Sequence, residues 1–140
     1  MASLIYDSFL DDLSTGAVVP STDTYFVMLV TSSYTAAKTT DTKRSNVTNE
    51  VTATGYTAAG SASACTVAKN TGSNTETYTF ADVVWTITGN LTARGAVVYK
   101  SRGGASSADN LVAYVDFGAD KSCSDSTFTV HFTGPLTFQN

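Results

Sequence analysis

The sequence predicts an all-β fold, a β-sandwich or jelly-roll-like body with one short N-terminal helix, and three observations carry that expectation. Among 140 residues there are 24 Thr and 16 Ser but only seven Leu and two Glu. Helix formers are therefore scarce, while β-branched side chains, which suit a pleated and half-buried surface, are abundant. Apolar residues fall in short runs separated by turn residues at regular intervals, the pattern of eight or nine short strands. The length fits a single domain over residues 1–140. A chain of this size buries roughly two thirds of its unfolded surface, enough for a core without disulfides or metal.

The helix comes first. Ile5, Phe9 and Leu13 recur at helical spacing with Tyr6 and Leu10 beside them, which predicts a helix over about residues 4–13. Ser3 is its expected cap, Asp7, Asp11 and Asp12 its solvent side, and Gly16 its left-handed stop. So short a helix must dock to persist. Residues 24–31 give the strongest strand signal, and their apolar run does not alternate, so both faces are expected to be covered. The opposing sheet would take one face, and the helix or a neighbouring subunit the other. Residues 32–49 lack periodicity and read as a long loop, functional or mobile, that holds Lys38, Lys43 and Arg44.

Short strands follow. Residues 51–54 precede Gly55, and residues 64–68 and 75–80 form a hairpin around residues 69–74, with Tyr78 and Phe80 on one face. Val83, Trp85 and Ile87 point inward from the next strand, and residues 91–100 make a longer one with Ala96, Val98 and Arg94 on one face. Residues 101–110 read as a flexible loop. In residues 111–117 the alternation sets Leu111, Ala113, Val115 and Phe117 against Val112 and Tyr114. Phe128, Val130 and Phe132 face inward, and a terminal strand follows the break at Gly134 and Pro135.

The chemistry-bearing residues are sparse. The net charge is −4 with five Lys and three Arg, which speaks against a nucleic-acid partner, since phosphate binders carry a clustered basic face. No apolar run approaches the roughly 20 residues of a membrane-spanning helix, and the first residues lack the basic and apolar regions of a secretory signal, so synthesis in the cytosol is expected. The one histidine, His131, lies on the polar phase of its strand and reads as a surface or interface residue. Cys65 and Cys123 are too few and too far apart for zinc, and free thiols are the expectation, with a disulfide open only if the fold brings them together. Asp116 and Asp120 are the best carboxylate pair for a hydrolase, but Asp at strand ends is ordinarily turn chemistry. The Asn46 and Asn90 sequons read as accidents of a Thr-rich chain. No catalytic, cofactor-binding or metal-binding residue is expected.

Residues 23–34, 43–51, 92–100 and 111–118, the third of which reads Thr92-Ala93-Arg94-Gly95-Ala96-Val97-Val98-Tyr99-Lys100, resemble small structural proteins of tailed bacteriophages, nearly end to end. The resemblance implies a virion component made in the host cytoplasm, similar to capsid decoration (cement) proteins. Its implied partners are the major capsid protein or another virion protein and further copies of itself, as a trimer or dimer. A tail or fibre module that binds a receptor or glycan, with Trp85 and tyrosine rings stacking on sugar, is the alternative. The interface candidates are Tyr34, Tyr56, Lys38, Lys43 and Arg44. The tyrosines would supply contact area with a polar tip, and the cations would meet an acidic surface or simply be solvated. Tyr99 is a further candidate anchor, and Tyr25 is expected in the core.

Overall fold

The computed structural model describes residues 1–139. Its first layer is an antiparallel sheet in the lateral order β1 (Leu4–Ile5), β8 (Asn110–Ser124), β7 (Asn90–Lys100), β2 (Tyr25–Val30) and β3 (Ser61–Ser63). The second layer has two parts. One is the sheet β10 (Leu136–Gln139), β5 (Thr75–Phe80) and β4 (Cys65–Asn70), and the other is the pair β6 (Val83–Thr86) and β9 (Thr127–Val130). Because β5 leads into β6 and β9 into β10, with β5 pairing β10 and β6 pairing β9, the two parts are halves of one ribbon bent at residues 81–82 and 131–135. The fold is all-β and sandwich-like, as the composition predicts.

The main core lies between these layers. Tyr25, Val27 and Leu29 of β2, with Ala96 and Val98 of β7, meet Phe80, Val83, Trp85, Ile87, Phe128 and Val130. A second core covers the other face of the first sheet. There Met28, Val30, Val97, Tyr99, Leu111 and Tyr114 pack against Tyr34 and Ala36 from the long loop, and against Tyr6. The continuous apolar run of β2 is thus explained, since residues alternately feed two cores. The partner on the second face differs from the expectation. The helix α1 (Asp7–Thr15) joins the main core through Phe9, and the loop after β2 covers the other side.

That loop is tied down along its length. The Thr31 and Asn49 backbones bond at 2.9 Å, Val51 N–H donates to Leu29 C=O, Leu111 N–H to Thr42 C=O, and Arg44 N–H to Asp109 C=O. A single 3₁₀ turn, Arg44–Asn46, interrupts it. Four other expectations need correction. Leu4 and Ile5 pair with Tyr114 and Ala113 as an edge strand, so the helix starts later than predicted. Ser3 does not cap it; its Oγ accepts the Asp116 N–H instead, while Gly16 does take the left-handed position. Residues 51–54 form no strand and contribute one isolated bridge, Thr54 to Thr88, with Glu50 just before them bridging Val30. In β8 the alternation breaks because Tyr99 pairs Leu111 and Val98 pairs Ala113. Val112 is left opposite no residue, so Ala113 faces the main core and Leu111 the second.

Candidate interaction surfaces

The interface candidates separate once placed on the fold. Tyr34 is 4% exposed. Its hydroxyl lies 2.8 Å from that of Tyr6 and donates to Asp41 Oδ2, and its ring meets Tyr114 edge-on. Burial and these neighbours push the Tyr34 phenol far above its ordinary range. It is a core residue, not a surface anchor, because the loop that carries it lies on the sheet and not in solvent. Tyr56 is half-buried against Trp85, and its hydroxyl accepts the Leu29 N–H and donates to Glu50 Oε1. Its polar tip therefore points inward. Tyr99 is buried beneath the Arg44 guanidinium, 5.2 Å from the ring centroid, and Tyr25 is buried as expected.

Of the three loop cations, Arg44 is committed, with Nε 2.8 Å from Asp109 Oδ2. Lys38 is exposed and loosely paired with Asp7 at 3.5 Å, and Lys43 is half-buried. Lys38 and Lys43 are thus the candidates that still present charge at the surface.

Around Arg44 lies a polar network the sequence did not reveal. Asp109 and Asn110 are each 1% exposed. Asp109 Oδ1 accepts the Arg102 N–H, while Asn110 Oδ1 accepts from the Arg102 guanidinium and its Nδ2 donates to Asp12. Lys100 Nζ donates to Ala17 C=O and pairs with Asp23 at 2.9 Å. Three stretches distant in sequence, residues 12–23, Arg44 and residues 100–110, meet here, so both ends of the loop read as flexible are tied to the body through Arg102, Asp109 and Asn110. The signal available was a pair of cations, Arg102 and Lys100, in a chain with ten Asp. Only the fold says which Asp they reach.

The other charged pairs are also structural in their contacts. Asp116 accepts from Arg94 Nε at 2.8 Å and from Gly118 N–H, and the N-terminal amine lies 3.6 Å away. The Arg94 hydrogen bond holds its carboxyl down to about 2, so it is ionised and engaged, while Asp120 is exposed across a bulge. His131 Nδ1 sits 2.6 Å from Asp82 Oδ2, whose other oxygen accepts the Phe132 N–H. This contact spans the bend of the second layer. Cys65 and Cys123 are free and half-buried, and burial raises the Cys65 thiol to about 11, which favours its protonated form. Trp85 is 3% exposed, so its ring offers no platform for a sugar.

Two shallow apolar concavities open on the surface. One, about 490 Å³, runs beside Leu4, Ile5, Val115 and Leu136. The other, about 470 Å³, lies between Phe117 and Lys121 of β8 and Phe128, Val130 and His131 on the β9 side. Compared with known proteins, the chain matches no family model, no curated protein and no solved structure.

Proposed function

We propose that this chain is a non-enzymatic structural component of a phage particle, a capsid decoration protein that binds across neighbouring major capsid subunits and associates with copies of itself. The observation that carries the reading is how its polar side chains are spent. Asp109, Asn110, Arg44, Arg102, Lys100 and Asp116 all hold loops and termini onto the sheet. Such a body is preorganised, and preorganisation lowers the ordering cost of binding another protein. The sequence resemblance over residues 23–34, 43–51, 92–100 and 111–118 supplies the class of partner. Lys38 and Lys43 are the residues proposed to face an acidic capsid surface.

Adding purified chain to particles that lack it tests the proposal. Binding with a gain in thermal or chelator resistance is the expected result. Absence of binding, or binding confined to tails or to a glycan array, overturns the capsid reading.

A further inference from the structure

Among the described residues, β9 has a strand partner on one side only. The Ile87 N–H bonds to Ser126 C=O, and Trp85 stands opposite Phe128. Antiparallel ladders alternate, so the bonds to β6 fall at Phe128 and Val130, and the N–H and C=O groups of Thr127 and Thr129 turn to the free side. Edges invite another strand unless they are short, covered or charged. The β1 edge has two residues and the β3 edge three, and β4 carries Lys69. By contrast, residues 127–139 contain no Asp, Glu, Lys or Arg. The groove beside β9 is floored by Phe117, Phe128 and Val130, where the two-stranded half of the second layer is too narrow to cover β8.

We propose that β9 is where two copies of this chain pair, antiparallel about a two-fold axis at Phe128. The register argues for a second copy over an unrelated strand. With Phe128 opposite its own symmetry mate, Thr127 stands opposite Thr129 and completes the free hydrogen bonds. Asp125, in the left-handed turn just before β9, would then approach the end of the other copy's strand, where His131 and Lys121 lie. Lys121 has no carboxylate partner among the described residues, and Asp125 uses one oxygen on Gly89 N–H and leaves the other open. His131 already holds Asp82, so Lys121 is the cation that meets the incoming acid. Symmetry makes the contact twice. An uncharged centre flanked by opposite charges is complementary to itself in this orientation. The added strand also extends the second layer over Phe117.

The pairing rests on the self-association part of the proposed function and not on a place in a particle. A chain that pairs but does not bind particles separates the two. Sedimentation equilibrium of the full chain is expected to give twice the 14.6 kDa protomer mass. Thr129→Pro removes a donor on the free side while leaving the β6 ladder intact, and is expected to weaken association roughly tenfold or more. In a background with Cys65 and Cys123 replaced by Ser, Thr127→Cys mixed with Thr129→Cys is expected to give a covalent dimer under mild oxidation, since directly opposed strand residues lie within disulfide reach. Neither single variant should link to itself. A monomer at all concentrations, or self-linking by either variant as readily as the mixture, overturns the pairing. If Thr129→Pro does not fold, the cysteine mixture still decides.

Discussion

The hydroxyls of Tyr6 and Tyr34 lie 2.8 Å apart, beneath the loop that follows β2 and out of contact with solvent. This bond joins the segment entering α1 to the loop covering the second face of the main sheet. Tyr34→Phe leaves the buried Tyr6 hydroxyl without that partner and is expected to cost about 1–3 kcal/mol. Tyr34→Ala also opens a cavity against Tyr114 and should cost about 3–5 kcal/mol. Chemical denaturation of both variants checks the order. A surface tyrosine would give no measurable loss in either.

Asp109 is the second lock. Its carboxylate takes the Arg44 guanidinium and the Arg102 N–H while nearly inaccessible. Asp109→Ala leaves the cation of Arg44 beside an empty site and is expected to destabilise by about 3–5 kcal/mol. Limited proteolysis should then cut first within residues 101–109, because that loop loses its anchor.

Much of the architecture is legible in the sequence because each strand carries its own pattern. Trp85 and Phe128, at the centres of short alternating runs, are buried opposite each other as that pattern requires. What the sequence leaves unread is what depends on distant partners. Tyr34 sits in a run of Ser, Thr and Ala with no period, so nothing local signals that its ring is buried. Its burial is decided by Tyr6 and Tyr114, far away in the chain. Leu4 and Ile5 fit the helical stripe as well as an edge strand, and the open side of β8 decides between them. For the candidate surface, the exposure of Lys38 was foreseeable from composition, whereas the commitment of Arg44 to Asp109 was not.

Acid should loosen the N-terminal side of the fold through Asp116. Its folded-state pKa of about 2, set first by the Arg94 hydrogen bond, lies below the unfolded value of about 3.9. The stability it contributes is therefore complete above about pH 4 and lost as pH falls toward 2. Urea midpoints measured across that window should fall less steeply for Asp116→Asn than for the natural chain.

Alkali acts with the opposite sign through the tyrosines. Burial pushes Tyr99 up to about 12 and Tyr6, Tyr25, Tyr34 and Tyr56 higher still. The unfolded chain releases these protons near pH 10, while the folded chain keeps them. Stability is thus whole below about pH 10 and falls as pH rises beyond it. Most of the phenolate absorbance should appear together with unfolding, and a graded titration in the folded protein beyond that of the half-buried Tyr78 would contradict the burial of these rings.

Gly60 offers a test of how β3 is held against β2. Its φ is +82°, and a Cβ there would lie 1.9 Å from the Val27 carbonyl oxygen, beside the point where Ser61 pairs with Val27. Gly103 has a similar φ of +73° with open space around it. Gly103→Ala should therefore cost only the left-handed backbone term, about 1 kcal/mol. Gly60→Ala adds a clash with backbone that has no flexible end to swing away, so β3 must move off β2, and a loss of at least about 3 kcal/mol is expected. Denaturant midpoints at equal m-values separate the two contributions. Equal losses at both positions would mean that the chain does not pass as close to Val27 as described.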